Sequence, residues 1–360
     1  MTTDPQSFVG TRPVDPAHAF DSARLTAWLQ DHVEGFRGPL QVQQFKGGQS
    51  NPTFLLVAGD GRRFVLRRQP PGPLLPSAHA VDREFRVMRA LAGTDVPVPP
   101  VHALCEDRDV MGTLFYVMDC VDGRVLWDPS LPGLSVAERG RVYDELNRVI
   151  AALHGVDPQA VGLGDYGRSG QYLERQIARW SKQYKAAETE PIEAADALID
   201  WLPRHLPPGD ETRIVHGDYR LDNVVFHPAE PRIVAVLDWE LSTLGHPLVD
   251  FAYHCMTWRM DSGATRGLAG VDLAALGIPD EAEYVRRYME RSGRGGDRRP
   301  SRDEWEYYLV FNAFRLMAIL QGVAKRAQQG NASSAQAADA GRRARPLAER
   351  AWALAKSLAA

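Results

Sequence analysis

At 360 residues the chain is long enough for a large core divided between two lobes or domains. Its 44% hydrophobic and 24% charged content is ordinary for a globular protein, and a formal net charge of −4 gives no electrostatic footprint for nucleic acid or an anionic membrane. The first twenty residues lack a basic n-region and an apolar h-region, no apolar run approaches the roughly 18 residues of a membrane helix, and Cys105, Cys120 and Cys255 form no C-x-x-C pair, so a reducing cytoplasm is the expected setting.

Residues 20–34 (FDSARLTAWLQDHVE) carry helical periodicity, with Asp21 or Ser22 as N-cap, and Gly35, Gly38 and Pro39 end that helix. From 40 to 68 the pattern turns to β. QVQQFKGGQSNPTFLLVAG places two strands around the Gly47-Gly48 turn, and Asp60-Gly61 marks a hairpin before RRFVLRRQ. After a proline-rich connector, 77–93 (SAHAVDREFRVMRALAG) predicts a helix with Ala80, Phe85, Met88 and Leu91 on one face and Gly93 at its end. VHALCED and TLFYVMDCV predict two further strands, closed by Asp122-Gly123. Beyond 124 the chain is mainly helical, over roughly 135–154, 169–187, 191–205, 247–260, 280–291, 302–328 and 334–358, with Pro346 dividing the last helices. The stretch 214–226, a strand at 232–240 and a polar loop at 292–304 interrupt this region. The expectation is an α+β chain in three parts: an extension at 1–38, a small antiparallel sheet with one helix at 39–123, and a larger helical part at 124–360.

Four pieces carry chemistry. In 45–56 (FKGGQSNPTFLL) a glycine turn lets backbone N–H groups approach phosphate oxygens, with Ser50 as a further donor; a plain hairpin turn reads the same way. Arg67, which shares a strand face with Val65, needs a partner or an anionic ligand; Glu84 on the next helix is the candidate, and Arg68 points to the opposite face. In 214–226 (IVHGDYRLDNVVF), His216, Asp218 and Asn223 fall as H-x-D-x-x-x-x-N between two apolar strands, so Asp218 can meet a hydroxyl proton and Asn223 a hard cation. Asp222 reads as a turn residue with no chemical role. Finally, VAVLD ends a strand at Asp238, with Glu240 two residues on, a donor pair suited to a divalent ion. Taken in this order, the pieces are the working parts of phosphoryl transfer from a Mg-nucleotide.

The motifs 216–223 (HGDYRLDN) and 236–240 (VLDWE) resemble those of the aminoglycoside phosphotransferase (choline kinase-like) family of the protein-kinase-like fold, over about 40–325. Within it, 64–87 and 128–134 (DPSLPGL) are similar to the kinase-like domain of acyl-CoA dehydrogenase family members ten and eleven and their bacterial relatives; nothing in the chain supports flavin-dependent dehydrogenation. The resemblance implies a two-lobed fold, ATP and Mg²⁺, and a small-molecule hydroxyl acceptor. It implies that Asp218 takes or orients the acceptor proton, that Asn223 and Asp238 hold Mg²⁺, and that Gly47, Gly48, Ser50 and the 47–51 backbone cover the phosphates. Arg67, paired with Glu84, stands where the family's strand cation meets the α/β-phosphates; Asp119 and Val121 match the hinge that meets adenine. His216 and Asp250 brace the loop, and Glu240 positions metal or substrate. Two departures stand out. The strand cation is Arg rather than the more usual Lys, and position 220 is Arg220, read either as a neutraliser of phosphoryl charge or as a solvent-facing loop residue.

For the acceptor, Tyr308, Asn312 and Arg315 fall at i, i+4 and i+7 in a mostly apolar helix and share one face. A guanidinium there pairs with an internal acid or faces an anionic substrate group. An aminoglycoside would want acids instead, so the expectation is a hydroxy acid or hydroxyacyl thioester. The alternatives are an antibiotic kinase, or a kinase-like protein that binds nucleotide or acyl ligand without transfer.

Overall fold

A computed structural model describes residues 10–47, 51–72, 79–262, 267–296, 299–329 and 337–358, with side chains in the last segment from 341 on. The N-lobe is a six-stranded antiparallel sheet in the order β1-β2-β3-β4-β6-β5. Its strands are β1 (Thr11–Arg12), β2 (Gln41–Phe45), β3 (Thr53–Val57), β4 (Arg63–Arg68), β5 (Val101–Cys105) and β6 (Phe115–Asp119). The edge strand β1, too short to show a period, has no counterpart in the sequence pattern. Helix α1 (Ser22–His32) is capped by Asp21, whose carboxylate accepts from the N–H groups of Ala23 and Arg24.

Alternation along β4 divides its side chains between two environments. Phe64 and Leu66 face α1, joining Leu25, Leu29, Phe54, Leu56, Phe115 and Val117 in a core on that side. Val65 faces helix α2 (Val81–Leu91), in the core that holds Phe85, Met88, Leu91, Tyr116 and Met118 and runs on into the second lobe. The same alternation sends Arg67 to the α2 side and Arg68 to the α1 side. A one-turn helix, α3 (Arg108–Met111), links β5 to β6.

The chain passes to the C-lobe at Gly123-Arg124, where Arg124 and Phe226 exchange backbone hydrogen bonds of 2.7 and 2.9 Å. A Cβ on Gly123 would lie 2.3 Å from the Phe226 carbonyl oxygen, so this close passage requires glycine. The C-lobe holds α4 (Val136–Gly155), α5 (Tyr172–Ala187) and α6 (Glu193–Trp201), then four short strands, β7 (Arg213–Val215), β8 (Val224–Phe226), β9 (Ile233–Val236) and β10 (Thr243–Gly245). β7 pairs with β10 and β8 with β9, both antiparallel. Helices α7 (Pro247–Arg259), α8 (Leu273–Leu276), α9 (Glu281–Arg291), α10 (Arg302–Gln328) and α11 (Ala337–Leu358) complete it.

Two expectations are corrected here. Pro346 does not divide the last helices: α11 runs through it. The small side chains of Ala344, Ala348, Ala351 and Ala355 are buried with Leu347, in one core with α10, and this packing outweighs the roughly 3 kcal/mol an interior proline costs. Second, α10 is long and apolar enough to cross a membrane by length and composition, contrary to the expectation for every segment of the chain. Its apolar window is 72% buried inside the protein, so that character serves the core.

Candidate active site

Two clusters lie where the lobes meet, one centred on Arg67 and one on Asp218. In the N-lobe, Arg67 Nε lies 3.0 Å from Glu84 Oε2, and Arg67 Nη2 lies 2.6 Å from Asp238 Oδ1 and 3.5 Å from Glu240 Oε2. Glu84 is 1% exposed and also accepts from Asn51 Nδ2 (2.9 Å) and from the Tyr116 hydroxyl (3.1 Å). Burial pushes the Glu84 carboxyl up and Arg67 pulls it back, with a net rise. Burial also works against the Arg67 charge, but Glu84, Asp238 and Glu240 outweigh it, so the guanidinium stays firmly protonated. Arg68 lies elsewhere, under the rings of Phe20 and Phe54, donating to the His18 carbonyl. Arg67 is therefore the cleft-facing cation.

In the C-lobe, the loop after β7 is held from behind by α7. The buried Asp250 accepts from the N–H groups of His216 and Gly217 (both 2.8 Å) and lies 3.2 Å from His154 Nε2. Burial raises the Asp250 carboxyl, but His154 and these donors bring it below its ordinary range. His216 donates from Nε2 to the Leu237 carbonyl (2.9 Å) and accepts the Asp218 N–H at Nδ1 (3.2 Å), which fixes its neutral tautomer. Gly217 sits at φ +82°, where a Cβ would lie 2.7 Å from the Leu241 carbonyl oxygen. His216 and Asp250 thus tie the backbone of this loop to Leu237 and to α7.

Asp218 projects from this frame. Its Oδ1 accepts from the Tyr253 hydroxyl (2.7 Å) and lies 3.2 Å from Arg220 Nε; its Oδ2 accepts from Asn223 Nδ2 (3.0 Å). The Asn223 amide also donates to the Asp218 carbonyl (2.8 Å), which turns its oxygen away from the loop. Asp238, at φ +64°, closes β9, and the Leu237 N–H bonds the Asn223 carbonyl (2.8 Å), so the two residues are locked side by side. One neutral and one anionic hard oxygen suit Mg²⁺, which takes few protein ligands and completes its shell with phosphate and water. No group of three or more His, Cys, Asp or Glu side chains is arranged for a metal among the described residues.

At the end of β6, the Asp119 N–H bonds the Pro100 carbonyl (2.9 Å). Proline has no N–H to return, so the ladder leaves the Asp119 carbonyl without its usual donor. Of the glycine turn, Gly47 is half-buried, and Gly48 and Ser50 lie outside the described residues. Arg220 is half-exposed, between Asp218 and Asp222, 3.4 Å from the latter; Asp222 is therefore more than a turn residue, since it shares this guanidinium. Beside Arg220 opens a cavity of about 130 Å³ lined by Trp127, Asp222, Tyr253, Met256, Met260 and Leu316, among others.

The expected face of Tyr308, Asn312 and Arg315 does not line that cavity. Tyr308 stacks on His246 in a different cavity, with Glu211 and Arg294, none of which belongs to the 216–223 loop. Asn312 is buried, and its amide donates to the carbonyls of Val249 and Tyr308. Arg315, 6% exposed, meets no acid among the described residues: Nη2 donates to the Gly217 carbonyl (2.6 Å), and the guanidinium lies over the rings of Tyr253 and Trp180. Helical spacing puts the three on one face; tertiary packing commits the Asn312 and Arg315 donors to backbone carbonyls.

The description of the phosphotransferase enzyme family matches residues 41–299. The chain belongs to that family. Mouse acyl-CoA dehydrogenase family member 10 is 47% identical over 345 residues, 95% of this chain but 32% of that protein, so the chain spans about a third of this relative's length. A Ralstonia eutropha protein, described provisionally as an aminoglycoside phosphotransferase, is 60% identical with a TM-score of 0.86, covering 94% of this chain and 99% of its own. A thermostable mutant of aminoglycoside phosphotransferase APH(4)-Ia, in a ternary complex with AMP-PNP and hygromycin B, covers 92% of this chain and 98% of its own at a TM-score of 0.58. At 18% identity it shows the shared two-lobed kinase-like fold and nothing finer. Within this phosphotransferase frame, the sequence pattern does not reveal Tyr253, Tyr116 or Asn51. Only Tyr253 leaves a signal, one helical turn after Asp250.

Proposed function

We propose that the chain moves the γ-phosphoryl group of ATP to a hydroxyl of a small molecule, with Asp218 as proton acceptor. The carrying observation is Asp218 itself: its carboxylate is aligned by Asn223 and Tyr253, and Asn223 is tied through the Leu237 N–H to the strand end whose Asp238 meets Arg67. Arg67 would meet the α/β-phosphates, fixed by Glu84, and the Asp119 carbonyl with the Val121 N–H would read adenine. Asn223 and Asp238 would hold a Mg²⁺ whose charge neutralises phosphate oxygens. Arg220, beside Asp218, adds positive charge where the phosphoryl group passes. Glu240, 3.5 Å from Arg67, would position metal or substrate.

The acceptor we infer is a hydroxy acid or hydroxyacyl thioester. The cavity beside Arg220 has walls of Trp127, Met256, Met260 and Leu316, and its lining carboxylate, Asp222, already shares Arg220. Such walls take an apolar chain, whereas a polycationic antibiotic needs several free acids. One feature favours binding without transfer: Arg67 occupies Asp238 directly. The three free cysteines fit a reducing compartment such as the cytoplasm. Mg-ATP turnover against a panel of hydroxy acids, hydroxyacyl thioesters and aminoglycosides tests the reading, with Asp218→Asn as control. Transfer to a hydroxyacyl compound, reduced at least ~10²-fold in the variant, supports it. No transfer to any member, or an equally active variant, sinks it.

A further inference from the structure

The two oxygens of Asp218 are not equivalent. Oδ1 accepts from the Tyr253 hydroxyl at 2.7 Å and has the Arg220 guanidinium beside it in an ion pair at 3.2 Å, whereas Oδ2 has Asn223 alone at 3.0 Å. The hydroxyl and the cation together make Oδ1 the more occupied oxygen and leave Oδ2 the more open one. Tyr253 is itself held from a second direction: its ring lies under the Arg315 guanidinium, 4.8 Å from the centroid, and Arg315 also grips the Gly217 carbonyl. Asp250 and Tyr253, one turn apart on α7, therefore contact three consecutive loop residues, His216, Gly217 and Asp218.

We propose that Tyr253 is a positioning residue that turns the Asp218 carboxylate so that Oδ2 receives the acceptor proton. This rests on the reading of Asp218 as proton acceptor. In the step, the acceptor O–H bond breaks and its proton goes to Oδ2. The freed electron pair forms the bond to the γ-phosphorus, the bond from that phosphorus to the bridging oxygen breaks, and ADP leaves with that pair. Without the Tyr253 hydroxyl, Oδ1 loses its hydrogen bond and the carboxylate can rotate to a second, unproductive setting.

Tyr253→Phe deletes the donor and keeps the ring against Arg315. Two measurements test it. In protein labelled with ¹³C at aspartate carboxyls, the resonance lost in Asp218→Asn is that of Asp218. At one neutral pH, with no ligand present, Tyr253→Phe should move or double that resonance. With the acceptor that turns over best in the panel, kcat should fall about 10-fold with KM for ATP unchanged, since a hydrogen bond to a charged group is lost only where the proton is taken. An unmoved resonance overturns the contact, and a moved resonance with wild-type kcat overturns its catalytic consequence. An active Asp218→Asn enzyme would instead remove the underlying reading of Asp218, leaving the resonance to judge the contact alone.

Discussion

The N-lobe and C-lobe halves of the cleft are built by different means. Around the Arg67 guanidinium the contacts shown join one side chain to another: Glu84, Asp238 and Glu240 share it, and Tyr116 and Asn51 also donate to Glu84. Around Asp218 the frame is main chain: Asp250 takes two consecutive N–H groups, Arg315 takes a carbonyl, and His216 ties the Asp218 N–H to the Leu237 carbonyl. A charge cluster of the first kind can exchange partners when a phosphate arrives. A backbone cradle of the second kind has one arrangement, which suits a group whose oxygen must be aimed.

The contrast can be broken most severely at Asp250. Asp250→Ala leaves two loop N–H groups and His154 without their acceptor, and should cost about 3–5 kcal/mol, read as a large drop in melting temperature. Next comes a double-mutant cycle in the other half. Arg67→Met strands a buried Glu84 and should destabilise, while adding Glu84→Gln should restore part of the loss. A coupling of about 1–3 kcal/mol by denaturant titration is expected, and additive values would show that the N-lobe cluster is not a unit.

Acid should act on the C-lobe half. Burial pushes His246 and His254 down to about 4, and also lowers His154. Because the folded values lie below the unfolded one, this stability is fully present above about pH 6.5 and is lost as pH falls from there toward 4. His246 and His254 should each contribute about 1 kcal/mol of loss by pH 5.5, and His254→Gln should flatten the melting profile measured between pH 7 and 5. The smallest effect is expected from Arg67→Lys. A single ammonium cannot meet Glu84 and Asp238 as a fork does, so KM for ATP should rise a few-fold with little change in melting temperature. An unchanged KM would separate Arg67 from the phosphates.

Much of this arrangement is legible in the amino-acid sequence. H-x-D-x-x-x-x-N becomes a direct contact between Asp218 and Asn223, because a tight turn, with the Asn223 N–H on the Arg220 carbonyl, folds the spacing back on itself. Strand alternation separates Arg67 from Arg68. What is not legible comes from distance in the chain. Tyr253 and Arg315 meet the loop across 35 and 98 residues, and nothing local says whether a helical guanidinium will end at an acid, a ligand or a carbonyl. Pro346 misleads for the same reason, since its cost is local and its compensation is packing with another helix.

The ion pair between Arg67 and Asp238 joins the lobes through a charge that phosphates and metal would also need under the proposed function. On that reading the protein carries its own competitor. Nucleotide would exchange one internal partnership for two new ones, and its apparent affinity would be lowered by whatever that latch is worth. A guanidinium, which cannot shed its proton to let go, would make the exchange obligatory in every turnover.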